Sequence, residues 1–64
     1  MWYVVQHLSE YTPFYVVRAA SDVDAVERVI DQTSRLGWLV AELGTVDIDT
    51  IKGIASGESV ILSR

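Results

Sequence analysis

The sequence predicts a small two-layer α+β domain of residues 1–64 in the order ββαβ(α)β. Its sheet is expected to be mainly antiparallel, with one amphipathic helix packed on one face. Short runs of Val, Leu and aromatic residues bounded by turn residues indicate strands. One segment repeats apolar residues at helical spacing. At 64 residues without Cys, the chain is one domain with a thin core and no disulfide.

The first two strands are predicted at 2–8 and 14–20. Both segments are rich in Val and aromatic residues, which favour a pleated surface. The polar stretch between them contains Pro13, which cannot donate a ladder hydrogen bond and therefore suits a turn. A connection of this length favours an antiparallel hairpin.

A helix is predicted at 22–36 by one stripe of apolar positions at helical spacing: Val23, Val26, Val29, Ile30, Thr33 and Leu36. Ser21 is a candidate N-cap, and Asp24 three positions later suits a capping box. Gly37 fits the left-handed residue that ends many helices. The opposite side offers two ion pairs at i,i+4 spacing, Asp24–Arg28 and Asp31–Arg35.

The elements after the helix are less regular. A third strand is predicted at 38–43 and a last strand at 58–63. Between them, a short helix at 47–56 is supported by the spacing of Ile48, Ile51, Ile54 and Ala55, with Asp47 as its cap and Gly57 as its stop. A strand is supported there by the alternation of Val46, Ile48 and Thr50. We favour the short helix.

The predicted strands are apolar on both faces, although successive side chains point to opposite sides of a sheet. The more uniformly apolar set is assigned to the core under the helix: Tyr15, Val17, Ala19, Leu39, Ala41, Leu43, Val60 and Leu62. The other set is a candidate interface that another subunit or partner must cover: Phe14, Val16, Arg18, Trp38, Val40, Glu42 and Ile61. The first strand fits either way, through Trp2, Val4 and Leu8 or through Tyr3 and Val5.

Charge and composition narrow the classes of partner. The net charge is −4, with only five Lys and Arg residues, so nucleic-acid binding is not expected. No apolar run reaches the length of a membrane span, and no signal peptide is recognisable. With no Cys either, we expect a cytoplasmic protein that does not bind membranes.

The sequence offers little catalytic or metal-binding chemistry. His7, Ser9 and Glu10 invite a nucleophile–base–acid arrangement, but neighbouring strand and turn residues rarely converge in that way. Two Asp-x-Asp pairs, at 22–24 and 47–49, could hold a divalent cation. Both also lie at predicted helix starts, where negative charge is favoured by the helix dipole. We therefore expect no catalytic residue, no metal and no cofactor.

Three hypotheses of function remain. The leading one is a small acidic protein–protein interaction module that forms a homodimer or larger oligomer and binds or inhibits a larger protein by occlusion, as phage or mobile-element regulators do. The second is a small-molecule binding protein with a pocket between subunits, whose candidate contacts are Trp2, His7, Tyr11 and Tyr15. The least favoured is an enzyme whose site is shared between subunits, with His7 and Glu10 as acid and base.

Overall fold

The computed structural model describes residues 1–10, 13–54 and 60–62. Its elements, in chain order, are β1 (Trp2–His7), β2 (Tyr15–Arg18), α1 (Asp22–Thr33), β3 (Trp38–Gly44), α2 (Ile48–Ile54) and β4 (Val60–Leu62). The predicted α+β order is therefore confirmed, and the favoured short helix is present as α2. Its predicted stop, Gly57, lies outside the described residues.

The four strands form one mixed sheet in the order β3-β1-β2-β4. β1 runs antiparallel to both β2 and β3, which confirms the predicted hairpin. β4 pairs with β2 in the parallel direction. β3 and β4 are thus the two edges of the sheet, and β3 is the longer of them.

The start of α1 follows the sequence prediction. The Ser21 hydroxyl accepts a hydrogen bond from the Asp24 backbone N–H at 3.1 Å, so Ser21 is the N-cap. The Asp24 carboxylate accepts from the Ala20 backbone N–H at 3.1 Å and pairs with Arg28 at 3.2 Å. The Ser21 N-cap and one of the two expected ion pairs are therefore confirmed.

The end of α1 differs from the prediction. The helix stops at Thr33, because Ser34 takes a left-handed conformation (φ 59°) and its N–H donates to the Ile30 carbonyl at 2.7 Å. Leu36, the last apolar position of the predicted helix, lies beyond α1 and is 74% exposed. Arg35 lies beyond the helix and pairs with Glu10 at 2.8 Å, so the predicted Asp31–Arg35 pair is wrong.

α1 covers one face of the sheet, which we call the first face. The buried residues of this layer come from β1, β2, the segment after β2, and α1: Tyr3, Val5, Tyr15, Val17, Ala19, Ala25 and Val29. Four half-buried or partly exposed side chains pack around them: Val26, Trp38, Val40 and Leu62. Tyr3 and Val5 therefore settle how β1 faces α1, which the sequence left open.

α2 covers part of the opposite, second face. Ile51 of α2 is buried with Trp2 and Val16 of the sheet, and Phe14, Leu43 and Val46 pack against this group. The expectation that another molecule must cover this whole face is wrong, because the chain supplies a second helix for part of it. Val16 is fully buried there, which removes it from any exposed surface.

The assignment of β3 to a face is also corrected. Val5 lies between Tyr15 on β2 and Val40 on β3, so these three side chains share the first face. Trp38 and Val40 pack into the layer under α1, whereas Leu39 points to the second face and is 55% exposed. Both alternating sets of β3 are apolar, so only the pairing register could distinguish them.

Candidate functional site

An apolar surface remains open on the second face, at the end of the sheet away from α2. Leu8 is 69% exposed there and Leu39 55%, and Ala41 is exposed beside them. Val4 and Gln6 of β1 are half-buried between these residues. We call Val4, Gln6, Leu8, Leu39 and Ala41 the open patch. Contiguous apolar surface of this kind usually marks an interaction site.

The open patch adjoins the outer edge of β3, which among the described strands has a neighbour on one side only. The Leu8 N–H donates to the Gly37 carbonyl at 2.8 Å. Because hydrogen-bonded and non-hydrogen-bonded pairs alternate in an antiparallel ladder, Leu39 and Ala41 direct their backbone groups towards β1. The alternate residues of β3 direct their N–H and C=O groups away from β1, towards the open edge of the sheet. These residues are Trp38, Val40 and Glu42.

The seven residues of the predicted interface do not form one surface. Trp38 and Val40 pack under α1, and Val16 is buried with Phe14 beside it under α2. Arg18, Glu42 and Ile61 are exposed, but they lie on three different strands. Leu39 and Ala41 were missed because they belong to the apolar set assigned to the core, and no sequence pattern distinguished the two sets.

His7 is held by hydrogen bonds on both ring nitrogens. Its Nε2 lies 3.0 Å from the Leu36 carbonyl oxygen, which can only accept, so Nε2 carries the proton. Its Nδ1 accepts from the backbone N–H of Ser9 at 3.2 Å and lies 2.9 Å from the Ser9 hydroxyl. A serine and an oriented histidine are therefore in contact, as a nucleophile and its base would be.

The surroundings of this pair favour a structural role. A nucleophile of this kind needs free N–H groups for the developing oxyanion. The three turn amides nearest to it are engaged: Leu8 N–H on Gly37, Ser9 N–H on His7, and Glu10 N–H on the His7 carbonyl at 3.3 Å. The contacts join the β1–β2 turn to the loop between α1 and β3.

Glu10 and Arg35 reinforce the same junction. The Arg35 guanidinium donates to both Glu10 carboxylate oxygens, at 2.8 and 3.3 Å. The hydrogen bond and the charge of Arg35 lower the pKa of Glu10, and those of Glu10 raise the pKa of Arg35. The Glu10 carboxylate is therefore held by Arg35.

The residues predicted to contact a ligand are also separated. Trp2 lies on the second face under α2, whereas His7 and Tyr15 lie on the first face. Both rings meet the edge or face of Trp38 in T-shaped contacts, at 5.1 and 5.6 Å between centroids. Tyr11 falls outside the described residues.

The two Asp-x-Asp pairs serve the helix starts. The Asp47 carboxylate accepts the Thr50 backbone N–H at 2.7 Å, and this hydrogen bond lowers the pKa of Asp47. The Asp22 carboxylate accepts the Val23 N–H at 2.8 Å. Within residues 1–10, 13–54 and 60–62, no three His, Asp or Glu side chains converge in a way that could hold a metal ion.

An open depression of about 300 Å³ borders both the open patch and the His7 junction; its lining residues are Gln6, His7, Leu8, Ser9, Glu10 and Leu39. Neither α1 nor α2, the helices of the described part of the chain, has the length and apolarity to cross a membrane. Comparison of the chain with models of known protein families, with curated proteins and with solved structures found no match.

Proposed function

We propose that this chain is a protein–protein interaction module that self-associates and binds a larger protein, inhibiting it by occlusion. The observation that carries the proposal is the open patch beside the unpaired edge of β3. Leu39 is 55% exposed on that edge strand. An extended segment or a second sheet can add its strand to such an edge, and the neighbouring apolar side chains then give specificity.

The position of the patch supports binding through β3 rather than through the residues selected from the sequence. Trp38 and Val40 stabilise the layer under α1, so Trp38→Ala would disturb the fold together with any binding. Leu39 contributes to neither buried layer of the described residues. Its replacement therefore tests binding with little effect on folding.

The test is capture of partner proteins by the immobilised chain from a lysate of the source organism, compared between two variants. Leu39→Asp places a charge in the open patch. Val23→Asp is the matched control, because Val23 is also exposed, at 63%, but lies on α1 on the other side of the sheet. We expect the wild type and Val23→Asp to retain the same partner and Leu39→Asp to lose it. Equal capture by all three proteins would contradict the proposal.

A further inference from the structure

We propose that two copies of this chain pair through the outer edges of β3, antiparallel and in a register centred on Val40. This inference rests on the proposed function and names the partner that the β3 edge binds first, a second copy of the chain. A twofold axis perpendicular to the sheet at Val40 would join the two sheets into one of eight described strands.

The regular part of β3 selects this register. β3 pairs one-to-one with β1 from Trp38 to Glu42, and the ladder shifts at the irregularity between Trp2 and Tyr3. The segment of β3 with regular backbone geometry is therefore Trp38–Glu42, and Val40 is its midpoint. Pairing the segment with itself places Val40 opposite the partner's Val40.

The backbone groups match in the same register. Trp38, Val40 and Glu42 direct their N–H and C=O groups outwards, as the Leu8–Gly37 hydrogen bond requires. Around Val40 these residues face one another, Trp38 opposite the partner's Glu42 and Val40 opposite the partner's Val40. About six hydrogen bonds then form between the two strands.

The side chains of the second face also become continuous. Leu39 lies opposite the partner's Ala41, and the two Leu39 side chains become diagonal neighbours, within reach of each other across the axis. The pairing therefore joins the two open patches into one surface around the exposed Leu39 side chains.

Charge favours this register over its nearest competitor. Glu42 is the only charged residue of β3. Centring on Val40 separates the two Glu42 residues by about 13 Å along the strands at about 3.3 Å per residue, beyond the roughly 10 Å screening length in 0.1 M salt. This register also places Glu42 opposite the partner's Trp38, at the end of the strand nearest to the positively charged Arg35 of the partner subunit. Centring on Ala41 would bring the carboxylates to about 7 Å along the strands.

The first test is sedimentation equilibrium of the full chain over a concentration series. We expect a monomer–dimer equilibrium for the wild type. Glu42→Lys places a lysine on the edge and is expected to raise the dimer dissociation constant roughly tenfold or more. Glu27→Lys makes the same charge change on the exposed side of α1 and is expected to leave it unchanged. A wild-type chain that stays monomeric throughout, or equal effects of the two variants, would overturn the inference.

The second test fixes the register by cross-linking, which is clean because the chain has no Cys. In the proposed dimer Val40→Cys faces itself across a hydrogen-bonded pair, with about 5.5 Å between Cα atoms, which a disulfide can span. Mild oxidation should link Val40→Cys into dimers but not Ala41→Cys. The reverse result would overturn the register. If the chain stays monomeric but a partner protein is still captured and is lost in Leu39→Asp, self-association is excluded, whereas binding of a larger protein through the open patch is supported.

Discussion

Replacing Ile51 by alanine should reveal how much the sheet depends on α2. Ile51 is fully buried against Trp2 and Val16. The substitution removes three carbon atoms, each worth about 0.8 kcal/mol of burial, and leaves a cavity that adds to the loss. Together, the two effects should lower the free energy of unfolding by about 2–5 kcal/mol.

The assay is urea unfolding followed by tryptophan fluorescence. A Trp38→Phe background leaves Trp2, which lies under α2, as the only tryptophan. We expect Ile51→Ala to lower the urea midpoint and shift the native Trp2 emission to longer wavelength. A domain of this length has a total stability of only about 3–10 kcal/mol, so Ile51→Val, expected to cost about 0.5–1.5 kcal/mol, provides a milder version.

The matched control is Ile48→Ala on the same helix. Ile48 is 46% exposed, so its truncation should change the unfolding free energy by no more than about 0.5 kcal/mol. If Ile51→Ala and Ile48→Ala have the same small effect, and the Trp2 emission is unchanged, α2 does not cover the sheet and the reasoning is refuted.

Two further predictions concern the junction around His7. Arg35 lowers the pKa of Glu10, so this pair stabilises the fold above the ordinary pKa of 4.5, and the contribution is lost as the pH falls through the lowered pKa. The urea midpoints of the wild type and Glu10→Gln should therefore differ at pH 7 and converge in acid. A difference that does not change with pH would contradict this prediction. Gly37→Ala, beside His7, should lower the thermal unfolding midpoint to a similar degree as Gly44→Ala, because both glycines have positive φ and a Cβ at Gly37 would make only van der Waals contact with His7, at 3.4 Å. An unchanged midpoint for Gly37→Ala would contradict the left-handed conformation at this junction.

Much of the fold follows from local signals in the sequence. The capping of α1 by Ser21 and of α2 by Asp47 was predicted, and both carboxylate and hydroxyl groups accept the expected N–H bonds. The hairpin of β1 and β2 follows from the Val and aromatic residues of both segments and from the length of the connection between them. These features depend on neighbours within a few residues, which a sequence displays directly.

The assignment of β3 to its faces could not be predicted in the same way. Both of its alternating sets are apolar, and the pairing of Val40 with Val5 is a long-range contact. The end of α1 depended on Ser34, a residue that rarely adopts the left-handed conformation, whereas Gly37 was the expected choice. Because the two alternating sets of β3 were assigned to the wrong faces, the predicted interface contained Trp38, whereas the exposed residue of the open patch is Leu39.

The covering of the second face was underestimated for a related reason. The 47–56 segment contains Gly53, which weakens a helix, and its apolar residues also fit a strand. Only the packing of Ile51 against Trp2 and Val16 shows that this helix belongs to the core. Once it does, the uncovered apolar surface of the described residues shrinks from a whole face to the open patch.

The most direct test of the account is amide hydrogen exchange along β3 in dilute, monomeric chain, measured residue by residue by NMR. We expect slow exchange for Leu39 and Ala41, whose N–H groups bond to β1, and fast exchange for Val40 and Glu42, whose N–H groups point outwards. Raising the concentration should then protect Val40 and Glu42. Slow exchange of Val40 and Glu42 already in the dilute monomer would mean that the chain covers this edge itself, and would contradict the claim that β3 is its binding edge.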